Sequence, residues 1–418
     1  MASGRETGKW FDMADAKLDR IRILKNPVQE YEWGSKMAIQ ELLGKPVPSD
    51  KPMAEMWMGA HSKAPSKVLI QGQWRSLDEV IKGSPESILG KRVAEKYANK
   101  LPFLFKVLAV SSPLSVQVHP DLEQARQGFA RENRLHIPID APNRNYRDDN
   151  HKPELLLAVT YFTGLKGFRK IKEIIGLMEK IAPKSLSVEL TQLRKKPEAS
   201  GLKSFFNALM TMNKSRRNQV LGEAVSLAEK RADQDPAFHW MVELKREYPE
   251  DIGVLSPVLL NFVELRPGDA MYLEAGQLHS YLNGLAMELM ANSDNVLRGG
   301  LTPKYTDVPE LLKLVDFKTG PVLPVRPEGS GTCESVYQTP AREFTLSVIS
   351  VDKGKTFESP RDRSVEILIC MEGQADIADP GTGEVLALTR GRSVIVPSAV
   401  SQYRIDGTAT LYKASVPL

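Results

Sequence analysis

The chain has 418 residues, of which 42% are hydrophobic and 26% are charged, so it is long enough for two or three packed cores of a multidomain globular protein. Its formal net charge of +4 is small for this length, and its basic clusters occur in helix-like stretches, which argues against a nucleic-acid partner. The two cysteines, Cys333 and Cys370, are too few for a disulfide framework and are not spaced as thiolate metal ligands, which indicates a reducing compartment.

The N-terminal region is polar, and residues 1–18 are expected to form an extension outside the folded domains. It lacks the apolar segment of a secretion signal, and no uncharged stretch of the chain is long enough to span a bilayer. We therefore expect a cytoplasmic protein without a membrane partner.

Strand patterns follow in the next part of the chain, where short apolar runs alternate with turn residues from Ile21 onward. Three compact apolar runs bounded by Pro, Ser and Asn are typical of strands in a closed or doubly layered sheet: LPFLFKVLAV at 101–110, LSVQVHP at 114–120 and ELLLAVTYF at 154–162. The pattern predicts a β-barrel.

A helical pattern replaces the strands at about residue 168, because apolar residues then recur at spacings of three and four, as in IKEIIGLMEKI. Strands are expected again from VLSPVLLNFVEL at 254–265, and VPELLKLV behind Asp307 predicts a short helix. A link rich in Pro and Gly, 318–332, marks a further boundary. The predicted division is a barrel of 19–167 and 253–325, a helical insert of 168–252, and a second β-domain of 326–418.

An internal repeat relates the two β-regions. The spacing from Gly268 to His279 equals the spacing from Gly391 to Gln402, and each glycine precedes a short apolar run. The first copy ends in His279, a potential metal ligand, whereas the second ends in the amide residue Gln402. We therefore expect no metal in the second β-domain.

Four residues could form a metal site. Gln117 and His119 are two apart in a predicted strand, so their side chains leave the same face. Glu154 could add a carboxylate oxygen and His279 a second imidazole, which makes a sulfur-free set compatible with catalytic zinc. Taken singly, each has an ordinary structural explanation as a turn residue or a surface polar group, and spacing alone leaves metal binding open.

Several long segments resemble, in order, the signature segments of the type I mannose-6-phosphate isomerases. They are YEWGS at 31–35, EMWMGAHSKAPS at 55–66, LPFLFKVLAVSSPLSVQVHPD at 101–121, NHKPELLLAVTYFTGLKGFR at 150–169 and AMYLEAGQLHSYLNGLAMELMANSDNVLRGGLTPKYTDVPELL at 270–312. The resemblance implies a mainly β fold of jelly-roll-like cupin barrels: a catalytic N-terminal cupin with a helical insert and a C-terminal cupin-like domain. It departs from the general cupin pattern at Glu274, where a proline is usual.

The resemblance also implies the chemistry, which is the interconversion of mannose 6-phosphate and fructose 6-phosphate through an enediol at one zinc ion per chain. The implied ligands are Gln117, His119, Glu154 and His279. Lys106, Lys152 and Arg298 are the implied cations near the site, Ser115 is a further substrate-binding candidate, and the base remains open among Glu288, Asp294, His151 and Lys152. The expected partner is a small sugar phosphate, with the chain as a monomer.

Two other classes of protein remain open. A sugar-binding or regulatory cupin without catalysis would need neither a base nor a complete ligand set. A non-haem iron oxygenase would use two histidines and one carboxylate, which leaves Gln117 and the cations Lys152 and Arg298 without a role. Metal analysis with an isomerase assay separates the three classes.

Overall fold

The computed structural model describes residues 18–328 and 333–418 and is built mainly of antiparallel strands. The predicted extension 1–18 lies outside the described residues, except for the buried Leu18. The strands are β1 Arg22–Lys25, β2 Val28–Gln29, β3 Glu55–Gly59, β4 Lys67–Ile70, β5 Gln73–Ser76, β6 Phe103–Val110, β7 Gln117–Val118, β8 Glu154–Ala158, β9 Phe162–Phe168, β10 Leu260–Leu265, β11 Ala270–Leu273, β12 His279–Ala291, β13 Leu297–Arg298, β14 Glu334–Tyr337, β15 Thr345–Val351, β16 Thr356–Glu358, β17 Glu366–Asp379, β18 Glu384–Thr389, β19 Ser393–Val396 and β20 Arg404–Ser415.

The helices cluster between β5 and β6 and between β9 and β10. In the described ranges, none is both long and apolar enough to cross a membrane. They are α1 Ala38–Leu42, α2 Leu77–Gly83, α3 Pro85–Leu89, α4 Lys91–Lys96, α5 Leu122–Arg134, α6 Ile171–Ile181, α7 Ser187–Lys195, α8 Ala199–Met210, α9 Lys214–Glu229, α10 Pro236–Glu247, α11 Ser256–Leu259 and α12 Val308–Leu314, with 3-10 helices at Lys184–Leu186 and Ile252–Leu255.

One sheet, made of β2, β3 and β6 to β13, forms the barrel that contains the predicted site. Strand β12 joins its two sides, because residues 284–291 pair with β6 while the preceding residues pair with β9. The enclosed core is apolar and includes Leu108, Leu156 and Phe162. Polar side chains that enter this barrel therefore stand out against an apolar interior.

Strand β6 shows how the sequence codes for this position. All eight of its residues are buried, since Leu108 faces the barrel interior while Phe103 and Phe105 face a second core outside it. A strand covered on both faces appears as a continuous apolar run without alternation. Lys106 is the one charged residue in the run.

The helical stretch α6 to α11 leaves the barrel after β9 and returns to it at β10, and these two strands pair with each other. The predicted strand at 254–265 begins only at Leu260, and the helical stretch extends beyond the predicted limit of 252. Asp251 caps the 3-10 helix by accepting from Gly253 N, and Pro257 starts α11, so local helix signals override the apolar run.

The second sheet contains strands from both sides of the predicted domain boundary. It contains β14 to β20 together with β1, β4 and β5, although these three strands lie within the segment 19–167 assigned to the barrel. Strand β1 pairs with both β19 and β4. Ile21 is buried in the core of the C-terminal region, and Leu24 is buried in a core shared with the barrel, so this N-terminal segment bridges the two.

Candidate metal centre

His119, Glu154 and His279 meet at one end of the barrel, and each offers a ligand atom within 4.8 Å of the others. Within the described ranges they form the only such group of His, Cys, Asp or Glu. His119 follows β7, Glu154 begins β8 and His279 begins β12. The turn before His279 is held against His119, because Gly276 N donates to the His119 carbonyl at 2.9 Å; Gly276 has φ +79°, and a Cβ there would lie 2.9 Å from Leu314 O.

Hydrogen bonds fix the tautomers of both imidazoles. Nδ1 of His119 lies 2.7 Å from the Asn295 carbonyl, and Nδ1 of His279 lies 3.0 Å from the Gln277 carbonyl. A carbonyl oxygen can only accept, so each Nδ1 carries the proton and each Nε2 presents its lone pair. This is the arrangement of metal-ligating histidines, whose other ring nitrogen donates to a fixed acceptor.

The lone pairs converge on the carboxylate. His119 Nε2 lies 3.3 Å from Glu154 Oε1, and His279 Nε2 lies 3.6 Å from Glu154 Oε2. His119 Nε2 is nevertheless buried without a hydrogen-bond partner. Buried polar atoms are rarely left unpaired, and two imidazole nitrogens with a carboxylate oxygen suit zinc, so these residues fit a zinc ion.

The electrostatics favour the ligand forms of all three side chains. Burial, reinforced by the Lys152 ammonium, lowers the pKa of His119 to about 4, and burial also lowers the pKa of His279. Burial alone would raise the pKa of Glu154, but Lys152 and the two imidazoles hold it well below its ordinary value. Metal ligands must be deprotonated, so the centre is ready for a cation at neutral pH.

Gln117, the fourth predicted ligand, lies in β7 opposite His279 in the strand register. Its Nε2 donates to Ser115 Oγ at 3.3 Å, which orients the amide and leaves its oxygen available. Ser115 thus contacts a predicted ligand.

A second buried charged group lies beside the centre. Lys106 Nζ is 2.8 Å from Glu288 Oε2 and 3.4 Å from Glu55 Oε2, and Trp57 Nε1 donates to Glu55 at 2.5 Å. Burial would lower the pKa of Lys106, but the two carboxylates raise it. Burial raises the pKa of Glu288, and the negative charge of Glu154 raises it further. The positive charge of Lys106 lowers this pKa but does not outweigh the other two effects.

Tyr281 connects the two groups, since its hydroxyl donates to Glu154 Oε2 at 3.2 Å and also contacts Glu288. Sequence reasoning missed Tyr281, Glu55 and Trp57. A signal existed for Tyr281, which lies two residues after His279 on the same strand.

Lys106→Ala should lower the free energy of unfolding by about 3–5 kcal/mol, because it leaves two carboxylates buried without their cation. Lys63→Ala is the matched control: Lys63 pairs with Asp294 at 2.9 Å but is 52% exposed, so its loss should cost no more than about 1 kcal/mol. Urea unfolding of both variants measures the difference. Equal losses would contradict the buried-pair explanation.

The remaining predicted site residues are placed differently from one another. Lys152 Nζ lies 2.9 Å from Glu154 Oε1. Asp294 instead pairs with Lys63 and lies 3.7 Å from His61, a buried residue that is not among the predicted site residues. His151 Nε2 lies 3.0 Å from Glu343 Oε1, in the C-terminal part of the chain. Of the four candidate bases, Lys152 and Glu288 lie closest to the ligands by their contacts.

Arg298 lies beside Gln117, and two further cations, Arg147 and Lys304, are near enough for their charges to interact with it. Arg298 pairs with Gln117 in the backbone register. Burial and the charge of Arg147 lower the pKa of Arg298. Burial and the charges of Arg298 and Arg147 lower the pKa of Lys304. No ion pair joins any of the three to a described carboxylate. Sequence reasoning named Arg298 but missed Arg147 and Lys304, which belong to separate loops.

The equivalent position in the C-terminal region has no such centre among the described residues. Gln402, the counterpart of His279 in the repeat, donates from Nε2 to the Ser359 carbonyl at 3.1 Å. Its side chain is therefore engaged with the backbone.

Antiparallel barrel strands with buried imidazole and carboxylate donors at one end define the class of protein, a metal-dependent enzyme of the cupin fold. Residues 21–171 match the family model of the type I phosphomannose isomerase catalytic domain, and residues 334–416 match that of the mannose-6-phosphate isomerase cupin domain. The chain belongs to the type I mannose-6-phosphate isomerase family, also called phosphomannose isomerases, which confirms the predicted family and the mainly β cupin fold with helical parts.

Relatives support this membership over nearly the whole chain. Mannose-6-phosphate isomerase of Escherichia coli is 40% identical over 391 residues, covering 93% of this chain and 97% of the relative, and the human enzyme is 35% identical, covering 89% and 92%. The Salmonella typhimurium enzyme, crystallised with fructose 6-phosphate and zinc, matches with a TM-score of 0.88 at 38% identity, covering 96% of this chain and all of that one.

Proposed function

We propose that this chain interconverts D-mannose 6-phosphate and D-fructose 6-phosphate at one zinc ion, held by His119, Glu154 and His279 with the Gln117 amide as the fourth ligand. The observation that carries the proposal is the convergence of three buried donors within 4.8 Å, together with membership of the isomerase family. When bound, zinc supplies Lewis-acid polarisation of the sugar's carbonyl and hydroxyl oxygens.

The chain's own residues would move the proton. Glu288 is the candidate that combines a raised pKa with a place inside the barrel. We therefore assign it the role of general base, which takes the proton from C2 of mannose 6-phosphate and returns it to C1. Lys152 lies 2.9 Å from Glu154, and its ammonium group would stabilise the negative charge that develops on the enediolate. The surrounding apolar residues limit access of water to this proton.

The sugar phosphate would be held by Arg147 and Lys304, whereas Arg298, which adjoins the candidate metal ligand Gln117, would act on the developing enediolate. Arg298 adjoins Gln117, and Arg147 and Lys304 are close enough to affect the same local field. An anion relieves the repulsion between such cations, and guanidinium groups suit phosphate oxygens. Arg147 is fixed by its backbone N–H, which donates to Asn295 Oδ1 at 2.7 Å.

Arg147→Ala should raise KM for mannose 6-phosphate about 10-fold and leave kcat almost unchanged. The phosphate is not altered in the reaction, so its contacts stabilise substrate and transition state equally, and a hydrogen bond to a charged group contributes roughly 1.5–3 kcal/mol. Arg126→Ala, on the exposed face of α5, is the control. Steady-state kinetics and inhibition by inorganic phosphate give the result, and an unchanged KM would remove Arg147 from the phosphate site.

The isomerase assay tests the proposed function itself. The zinc-loaded protein incubated with mannose 6-phosphate in D2O should form fructose 6-phosphate, detected by NMR, with transfer of hydrogen between C1 and C2. Failure to interconvert the two sugars would favour a binding protein, and oxygen consumption with a 2-oxo acid would favour an oxygenase.

We also infer a cytoplasmic monomer that binds neither nucleic acid nor membrane. Both cysteines are free thiols, and the large exposed apolar side chains, such as Trp74, Val188 and Leu323, lie on separate parts of the chain. Light scattering of the purified protein tests the monomer directly.

A further inference from the structure

The C-terminal region reaches the segment that carries Lys152 and Glu154. His151 Nε2 lies 3.0 Å from Glu343 Oε1, and the next residue, Lys152, contacts Glu154 at 2.9 Å. His151 and Lys152 share a peptide bond, so a displacement of one moves the other. The Glu343 carboxylate, from the C-terminal region, therefore contacts the residue directly before the proposed catalytic cation Lys152.

Glu343 is held firmly enough to act as a support. Its neighbours Ala341 and Phe344 are buried in a core that also contains Leu155 and Leu157 of β8. Tyr97 donates from its hydroxyl to the Arg342 carbonyl, and the other carboxylate oxygen of Glu343 accepts from Arg342 N at 3.1 Å. The carboxylate position is thus fixed from both parts of the chain.

The segment before Lys152 is tethered on its other side as well. Asn150 Nδ2 donates to the Asn292 carbonyl at 3.0 Å, and Asn295 Nδ2 donates to the Asn150 carbonyl at 2.9 Å. The Asn295 carbonyl also accepts from Nδ1 of His119. Glu343 is the one tether of this segment that comes from the C-terminal region, among the contacts of the described residues.

We propose that Glu343 is a positioning residue for the active site, which acts through His151 to hold Lys152 against Glu154. The inference deepens the proposed function and rests on it. It gives the C-terminal region a part in the reaction, although that region has no metal group among its described residues. Misplacing a catalytic group by about 1 Å can cost on the order of 100-fold in rate.

Four variants test the inference: Glu343→Ala, Glu343→Gln, His151→Ala and the double variant of Glu343→Ala with His151→Ala. Glu343→Ala should lower kcat about 10-fold to 100-fold while zinc content stays at the parental level. Glu343→Gln keeps an oxygen that accepts from His151 and should recover most of kcat. The double variant should be no slower than His151→Ala alone, because the two residues act as one unit.

Glu384→Ala is the matched control, because it removes a carboxylate that pairs with Arg22 at 2.9 Å, another contact between the N-terminal and C-terminal parts of the chain. It should keep the parental kcat. Parental kcat in Glu343→Ala, equal losses in the Glu343→Ala and Glu384→Ala variants, or multiplying losses in the double variant would overturn the inference. A zinc-loaded parent that does not isomerise mannose 6-phosphate would instead overturn the proposed function, and this inference with it.

Discussion

His279→Ala is expected to lose both bound zinc and isomerisation, with activity falling at least about 1000-fold. His279 supplies one of the three buried donors of the centre, and its Nδ1 is already committed to the Gln277 carbonyl. Alanine leaves an incomplete ligand set. Lewis-acid stabilisation by a metal contributes several kcal/mol, and each 1.36 kcal/mol corresponds to a factor of ten in rate.

His239→Ala is the control for this variant, because His239 is exposed on α10, within the helical stretch. It should keep parental zinc and parental rates. Metal analysis after dialysis and the isomerase assay read both variants. Full zinc occupancy in His279→Ala would show that the ion is held elsewhere, and full activity without zinc would remove the metal from the mechanism.

Arg298→Ala is expected to keep zinc and the fold but to lose about 10²–10³ in kcat, the usual effect of deleting one donor that stabilises developing negative charge. Arg298 is partly buried and has no ion-pair partner among the described residues, so no structural ion pair is lost with it. A residue that only tethers a loop through a surface pair would change stability by no more than about 1 kcal/mol. Kinetics and unfolding together distinguish these two roles.

Arg326→Ala provides the comparison, since Arg326 pairs with Asp269 at 2.8 Å and is 73% exposed. We expect parental kcat and at most a small loss of stability in that variant. If Arg298→Ala also isomerises at the parental rate with zinc bound, the catalytic role of Arg298 is wrong. A fall in kcat with a proportional loss of zinc would mean that Arg298 helps to hold the metal ligands in place.

Periodicity predicted the elements that have one strong local signal. The apolar run of β6 and the spacing of three and four in α6 follow directly from burial on the faces of strands and helices. Only the second half of the run at 254–265 is a strand, because the 3-10 helix capped by Asp251 extends into it and α11, with Pro257 in its first turn, follows directly. Apolar composition alone does not distinguish a buried strand from a buried helix.

Pairing between distant parts of the chain could not be predicted from periodicity. Nothing local in β1 indicates that Arg22 lies opposite Ile395, so the sequence division missed the shared sheet. The same holds for Lys106 with Glu288 and for His151 with Glu343, which are 182 and 192 residues apart. His119, Glu154 and His279 were grouped by residue type and family resemblance, whereas their convergence required the barrel.

Zinc titration of the metal-free protein tests whether isomerisation depends on one bound zinc ion. After removal of zinc by a chelator, isomerisation of mannose 6-phosphate should be absent, should rise linearly with added zinc and should level off at one equivalent per chain. The His279→Ala protein should show no rise over the same range. Activity in the metal-free protein, or a zinc-dependent rise in the His279→Ala variant that matches the parent, would show that zinc held by His279 is not required for isomerisation.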